Sequence, residues 1–258
     1  MVTYSDNSVK QNVNMKKGRT IAIGDIHGCA TAFLTLLDAI ALTPEDTVVT
    51  LGDYVDRGPD SHGVVKRLLQ LQSECSLVAL RGNHEAMLLD ALDSDFASRF
   101  WLQCGGLATL TSYMTARDQT ESTGEIAEES TGETPSELSI DMRVILPQHI
   151  EFFRSCTLAY ETDEHLFLHA NYDPKLPIDE QEEACLLWQH LQQIPAPHVS
   201  GKTVFVGHTP QTNGEVLDAG HLVCLDTFCF GGGWLTAMDV HSRMVWQAND
   251  SGEVRESC

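Results

Sequence analysis

Short apolar runs that end abruptly in polar residues recur along the chain. Thr20-Ile-Ala-Ile closes on Gly24-Asp25, Thr47-Val-Val-Thr-Leu on Gly52-Asp53, and Leu77-Val-Ala-Leu on Arg81-Gly-Asn-His84. Three later runs follow the same plan, from His165 to His169, Thr203 to His208 and His221 to Asp226. Four to six apolar, mostly β-branched residues bounded by turn residues predict buried strands. Between the first three runs the period changes. Phe33, Leu36, Leu37 and Ile40 share one helical face with Pro44 beyond the helix end, Val64, Val65, Leu68 and Leu69 repeat the pattern, and Met87, Leu88, Ala91 and Leu92 begin a third. Asp25 precedes Asp53 by 28 positions and Asp53 precedes Asn83 by 30, the lengths of successive strand–helix–strand units. The first three strands are therefore expected to be parallel. Their polar ends then gather at the carboxyl edge of one sheet, where open α/β sheets bind ligands.

Further along, Pro147 to Ser155 predicts a helix with proline in its first turn. Thr157 to Ala170 predicts a strand pair joined near Thr162-Asp163-Glu164, and a helix is expected to open at Asp179, with Glu182 three residues on as its capping partner. Residues 231–247 predict two antiparallel strands that pack late onto the sheet. Periodicity fails between Asp118 and Asp141, which hold eight carboxylates and no basic residue among serine, threonine and glycine. This stretch is expected to be a mobile, solvated insertion, with a lid over an active site as the alternative. The expected organisation is a polar extension at 1–19, one domain at 20–250 interrupted at 118–141, and a C-terminal tail at 251–258.

Composition narrows the functional classes. The 258 residues are 42% hydrophobic and 21% charged, the profile of a soluble globular protein, and no apolar run approaches the roughly 18 residues of a membrane helix. Met1 to Thr20 has no apolar signal-peptide core. A net charge of −21 repels a nucleic-acid backbone, so neither nucleic acid nor membrane is an expected partner. Eight cysteines without a C-x-x-C pair read as reduced, mostly buried thiols, and the expected location is the cytoplasm. An acidic chain binds phosphate only where something local reverses the sign.

The strand-end residues supply that reversal. Asp25, His27, Asp53, Asn83, His169 and His208 offer oxygen and imidazole donors and no thiolate, a set suited to Mn²⁺, Fe or Zn²⁺. Six ligands are too many for one catalytic metal with an open position. They fit two metals sharing a bridging carboxylate, with Asp53, from the central of three strands, as the natural bridge. Two divalent cations against two carboxylates leave the pocket net positive. Such a pair activates a water as hydroxide and grips phosphoryl oxygens for in-line displacement. His84, beside Asn83, is placed to protonate the leaving oxygen, Asp56 to keep that imidazole charged, and Arg57 to grip non-bridging oxygens.

Taken singly, an aspartate or histidine at a strand end is most often a turn residue; successive strand ends carrying ligands are not explained that way. His62, His149, His165, His198, His221 and His241 carry no assigned role and read as surface or core positions. Arg81 reads as a brace for the Gly82 turn, and Trp101 and Trp188 as core residues.

Gly24-Asp-Ile-His-Gly28, Gly52-Asp-Tyr-Val-Asp-Arg-Gly58 and Gly82-Asn-His-Glu85 resemble the three signature motifs of the metallo-dependent phosphoprotein phosphatases. His169-Ala-Asn171 and Gly207-His-Thr209 resemble the later single-histidine motifs, and Trp101 to Tyr113 is similar to the smaller bacterial and bacteriophage members. The resemblance runs from about Thr20 to Val240. It implies an α/β four-layer fold, a central mixed β-sandwich flanked by helices of the calcineurin-like metallophosphoesterase kind. It implies that Asp25, His27 and Asp53 hold one metal, usually Mn²⁺ in bacterial members, and Asp53, Asn83, His169 and His208 the other. His84 with Asp56 would be the acid pair, with Arg57 and Asn83 on the substrate phosphate. The implied activity is removal of phosphate from phosphoserine and phosphothreonine in proteins, with a small phosphomonoester as a further substrate.

Three positions depart from the pattern. His190 stands where bacterial relatives carry a phosphate-gripping arginine, Phe228 follows Asp226-Thr227 where glycine is usual, and Asn171 replaces glycine or aspartate. Either His190 substitutes weakly on the phosphate or phosphate binding is looser, and Phe228 is expected to bring an aromatic ring near the pocket. The rival enzyme reading is symmetrical hydrolysis of diadenosine tetraphosphate, whose motifs read Gly-Asp-Leu-Val-Ala-Arg-Gly and Gly-Asn-His-Asp; Asp56 and Glu85 favour the protein phosphatases. The remaining alternative is a metal-binding interaction module without turnover, which has no physical reason to retain the six ligands together with His84 and Asp56.

Overall fold

The computed structural model describes residues 18–121 and 141–257, with Thr120 and Glu121 by their backbone alone. The amino-terminal half alternates strands and helices as the changing periodicity predicts: β1 (Thr20–Ile23), α1 (Ala30–Ile40), β2 (Thr47–Thr50), α2 (Ser61–Leu71), β3 (Ser76–Ala79) and α3 (Asn83–Ala91). Then come α4 (Asp95–Trp101), a π turn at Leu102–Gly106, α5 (Leu107–Glu121) and α6 (Pro147–Ser155). The second half holds β4 (Ala159–Glu161), β5 (His165–Leu168), α7 (Glu183–Trp188), β6 (Thr203–Val206), β7 (Leu217–Asp218), β8 (Leu222–Cys224) and β9 (Asp226–Thr227). The chain finishes with β10 (Trp234–Asp239), β11 (Val245–Ala248) and β12 (Val254–Ser257).

Two mixed sheets result. One runs β12-β11-β10-β1-β2-β3 with β9 beside β10, the other β4-β5-β6-β8-β7. β1, β2 and β3 are parallel, in the register Ile21–Val48–Leu77, and β10 closes onto β1 antiparallel. β5, β6 and β8 form a second parallel set.

The side chains explain why these strands read as unbroken apolar runs: both faces of each sheet are covered. Ile21, Ile23 and Val48 face a core shared with Phe33, Leu36 and Leu68 of the helices. Ala22, Val49 and Leu51 face the other way, onto Phe167, Phe205 and Val223 of the second sheet. Leu166, Leu168, Val204 and Val206 line a third core under Leu186. Period-two alternation thus sorts one chain into four layers: helices, sheet, sheet and a helix with its loops.

Several local expectations are corrected. The helix expected at Asp179 starts at Glu183, because the Gln181 carboxamide accepts the Asp173 N–H at 2.8 Å and donates to the Asp173 and Leu176 carbonyls. That clamp holds Gln181 and Glu182 extended and leaves Asp179 in a 3₁₀ turn. Part of the stretch expected as a tail, Val254–Ser257, is an edge strand on β11, fastened by Arg255 Nε donating to Gln247 Oε1 at 2.6 Å. Trp188, expected in the core, is 42% exposed. The expected extension at 1–19 lies outside the described residues except for 18 and 19. Most of the insertion expected at 118–141 does so as well; its first four residues extend α5. Among the described cysteines five are buried, two half-buried and all are free. No helix among the described residues is long and apolar enough to cross a membrane.

Candidate dimetal active site

The carboxyl ends of β1, β2, β5 and β6 and the start of α3 converge. Residues Ile26 and His27, past β1, donate their N–H groups to the Asp53 carbonyl at 3.0 and 2.8 Å, so the first two loops are laced together by backbone. Gly52 has φ +101°, and a β-carbon there would press on the Gly82 backbone at 2.6 Å, so only glycine lets the loops after β2 and β3 meet. Gly207 serves likewise under Asp25, whose carboxylate occupies the space a side chain would need.

Five of the six expected metal ligands, His27, Asp53, Asn83, His169 and His208, gather around Asp53, with Asp25 at their edge. Donor atoms of His27, Asp53 and His84, and those of Asp53, His169 and His208, form two groups, each within 4.8 Å, with Asp53 common to both. Its Oδ2 lies 3.4 Å from His27 Nε2 and its Oδ1 3.5 Å from His169 Nε2. Asn83 Oδ1 is 2.9 Å from both His169 Nε2 and His208 Nδ1. Asp25 is joined to the group through His208, whose N–H donates to Asp25 Oδ2 at 2.9 Å.

Each histidine spends one ring nitrogen on a backbone carbonyl. His27 Nδ1 lies 2.9 Å from the Val55 oxygen, His169 Nδ1 2.7 Å from that of Leu51, and His208 Nε2 3.2 Å from that of Trp188. A neutral imidazole protonated on those nitrogens turns its remaining lone pair toward Asp53 or Asn83, the arrangement that outer hydrogen bonds impose on metal-bound histidine. Burial keeps these rings neutral: His27 and His208 are held down to about 3, and His169 is also lowered. Around Asp53 burial pushes the carboxyl up, but His169, His84, His27 and His208 outweigh it and hold it well below the usual range. Asp25 goes the other way, raised by burial and by the charges of Asp226 and Asp53. Its buried Oδ1 has no hydrogen-bond partner. An orphaned carboxylate oxygen, three inward lone pairs and crowded negative charge together fit a pair of divalent cations.

Beside the ligand set, His84 Nδ1 and Asp56 Oδ2 are 2.7 Å apart, both buried. Burial opposes charge on His84, but Asp53 and the hydrogen bond to Asp56 prevail and raise its pKa. The Asp56 carboxylate also accepts from Trp101 Nε1 at 2.8 Å and Thr109 Oγ1 at 2.6 Å. Trp101 is fully buried, as expected of a core residue, yet its indole N–H helps to orient this carboxylate. Arg57 reaches out at the rim, donating to His27 Nε2 at 3.0 Å with its guanidinium 4.6 Å over the Phe230 ring. Phe228, expected near the pocket, stands behind Phe230, which itself packs edge-on against His27 at 4.8 Å. His190 is exposed and stacks on His208, ring centroids 4.3 Å apart.

Backbone strain concentrates at this edge. Of the non-glycine residues with positive φ among those described, His27, Asp53, Asp56, Arg57 and His208 belong to the site and Phe228 borders it. Such conformations cost about 1–3 kcal/mol each and persist only where surroundings over-determine them. Glu85 is the chief constraint. Its buried carboxylate accepts the N–H groups of Asp53 and Gly82 at 2.9 Å, Tyr54 at 2.7 Å and Val55 at 3.4 Å. Sequence reasoning used Glu85 only to separate two families. Its readable signal was an acid three residues after Gly82, in the first turn of a helix, where a carboxylate faces free N–H groups. Trp101, Thr109 and Phe230 gave no signal of chemistry, because their roles depend on contacts 45, 53 and more than 170 residues away in the chain.

Comparison with known proteins bears on the family and the fold. The model of the calcineurin-like phosphoesterase family matches residues 18–233. Serine/threonine-protein phosphatase 1 of Salmonella typhimurium is 41% identical over 100 residues, 38% of this chain and 44% of that protein. The symmetrical bis(5'-nucleosyl)-tetraphosphatase of Paracidovorax citrulli is 49% identical over 70 residues, 27% of this chain and 24% of that one. The matched stretches thus span less than half the length of either relative. A solved serine/threonine phosphatase from Saccharomyces cerevisiae superposes with a TM-score of 0.55 at 18% identity, over 95% of this chain and 81% of that one, a likeness of fold.

Proposed function

Because this chain belongs to the calcineurin-like phosphoesterase family, we propose that it hydrolyses phosphoserine and phosphothreonine monoesters in proteins. The observation that carries this reading is the buried His84–Asp56 pair, 2.7 Å apart, beside the donor set centred on Asp53. Asp25, His27 and Asp53 would hold one divalent cation, and Asp53, Asn83, His169 and His208 the other; the oxygen and imidazole set suits Mn²⁺, Fe or Zn²⁺, and Mn²⁺ is the ion that the family resemblance implies. When bound, two such cations supply Lewis acidity for the attacking water and neutralise phosphoryl oxygens.

The chain's own groups do the rest. The His84 imidazolium gives its proton to the leaving seryl or threonyl oxygen, and Asp56 holds the ring by Nδ1 so that Nε2 is the donor. Trp101 and Thr109 fix the Asp56 carboxylate, which keeps that ring from turning. Arg57, braced over Phe230, offers a planar pair of N–H groups to non-bridging phosphate oxygens, and Asn83 offers its carboxamide N–H to the same phosphate. His190, stacked over His208 at the mouth, supplies a weaker contact in place of an arginine. A groove of about 860 Å³ leads away from this mouth, lined by Asn171, His190, Lys175, Gln189 and Gln192 among others. Carboxamides of this kind suit the N–H and C=O groups of an extended peptide.

The competing dinucleotide reading draws on the tetraphosphatase relatives and is tested directly. Phosphorus NMR would follow the Mn²⁺-loaded protein given a phosphothreonine peptide and diadenosine tetraphosphate together. Inorganic phosphate from the peptide, with the dinucleotide intact, is the expected result. Release of ADP while the peptide persists would overturn the proposal.

A further inference from the structure

Away from the proposed active centre, two histidines that carried no role in the sequence come together with an acid. Glu164 and His165 lie where the β4–β5 turn enters β5, and His241 lies in the β10–β11 turn. The rings of His165 and His241 are 5.1 Å apart, and His241 Nδ1 is 3.6 Å from Glu164 Oε2. One donor atom from each of the three falls within 4.8 Å of the others. His165 opens β5 and His169 follows its end, so the two places are roughly 13 Å apart at about 3.3 Å per strand residue.

We propose that Glu164, His165 and His241 form a further metal site, for a borderline divalent cation with Zn²⁺ foremost, that joins the two sheets at the edge opposite the active centre. Two imidazole nitrogens and one carboxylate oxygen, with a position left for water, match a zinc donor set and are too rich in nitrogen for Mg²⁺ or Ca²⁺. One partner is already fixed. His165 is buried against Phe167 and Phe205, and its turn is locked by Thr162, which accepts the His165 N–H at 3.0 Å and donates its own N–H to the His165 carbonyl at 2.9 Å. Burial and the nearby His241 and Arg243 lower the His165 pKa against the pull of Glu164, so the ring is a neutral ligand at pH 7.

The other two ligands are exposed and free to swing. Donors 4.8 Å apart need to close to about 3.3 Å around a tetrahedral ion with bonds near 2.0–2.1 Å, and a rotation of the Glu164 and His241 side chains provides that. Of the cations near the group, Arg243 is drawn aside, with its guanidinium 5.5 Å over Phe205 and 3.9 Å from Asp218, and Lys202 is engaged by Glu161 and the Thr162 carbonyl. β5 belongs to the five-stranded sheet and β10 and β11 to the seven-stranded one. A bound ion therefore ties one sheet to the other.

The test compares the full chain with His241→Ala, an exposed substitution that leaves the packing of His165 on Phe167 and Phe205 in place. After stripping with chelator, equilibrium dialysis against micromolar Zn²⁺ should load one more ion per chain on wild type than on His241→Ala. This difference is independent of how many ions the active centre takes, so it stands or falls separately from the proposed activity. Saturating Zn²⁺ should raise the wild-type Tm by about 5 °C more than that of the variant, and Glu164→Gln should lie between them. Equal zinc stoichiometry in wild type and His241→Ala, or an extra ion that survives the substitution, would overturn the proposal.

Discussion

At the carboxyl ends of β1, β2 and β6 the chain turns through His27, Asp53, Asp56, Arg57 and His208, all with positive φ. At the opposite ends it enters β1 and β2 through Arg19 and Asp46, neither of which does. The first edge is held by buried, directional hydrogen bonds to charged groups, and the second by ion pairs and imidazoles at the rim. Entry into β1 and β2 through Arg19 and Asp46 needs no strain, and among the described non-glycine residues the positive φ at this edge is confined to Ala41 and Arg243 in the turns before β2 and β11. The carboxyl edge spends conformational energy to aim carboxylates and rings inward, and Glu85 and Asp56 are what keep that arrangement from relaxing.

Substitution at the strained edge should therefore cost function first. Asp53→Ala removes the one carboxylate common to both donor groups and should abolish phosphopeptide turnover together with metal content, measured by elemental analysis of the purified protein. His84→Asn should keep the metal and lower kcat about 100-fold or more, in line with the loss of a general acid. A kcat within twofold of wild type would refute the acid assignment to His84. In wild type the raised pKa of His84 sets the sign of the pH profile. Its charged form persists above the ordinary histidine range, so activity should fall as pH rises through that raised value, and His84→Asn should flatten this limb.

The third substitution separates holding the edge from acting in it. Glu85→Gln replaces half of a carboxylate with an N–H₂ group facing other N–H donors. With buried partners left unsatisfied at about 1–3 kcal/mol each, the variant should lose about 2–4 kcal/mol in urea denaturation. A loss below about 1 kcal/mol would mean that the loops after β2 and β3 hold their strained conformation without it.

The same contrast explains what the sequence made readable. The carboxyl edge announced itself because glycine, aspartate, asparagine and histidine interrupt apolar runs at intervals of about 30 residues, and that interval is a property of local chain. Both faces of the strands are covered, so the runs were legible as strands, and their alternation between the three cores needed only the period of two. Trp101 and Thr109 escaped because nothing near them in sequence marks a hydrogen bond to Asp56. Trp188 was misjudged because composition favours burying tryptophan, whereas here its backbone carbonyl is what matters, orienting His208. The late start of α7 follows from Gln181 binding three backbone groups, which no capping pattern at Asp179 reveals.

The smallest expected effect lies at the unstrained edge. Burial pushes the Asp46 carboxyl up, but Arg19 and the N–H groups of Thr43 and Arg19 outweigh it and hold it at about 2. Arg19 Nη2 sits 2.6 Å from Asp46 Oδ2, tying the entry of β1 to that of β2. The folded pKa lies below the ordinary carboxylate value, so the stabilisation is fully present above about pH 4 and is lost as pH falls through about 2. Because Arg19 is partly exposed and screened, that contribution is about 1 kcal/mol. Asp46→Asn should cost about 1–2 kcal/mol at pH 7 and much less near pH 2, while leaving phosphopeptide kcat unchanged. A fall in kcat of tenfold or more would show that the two edges are mechanically coupled through β1 and β2. An unchanged kcat would mean that the strained loops are held by their own hydrogen bonds and draw nothing from the way the strands begin.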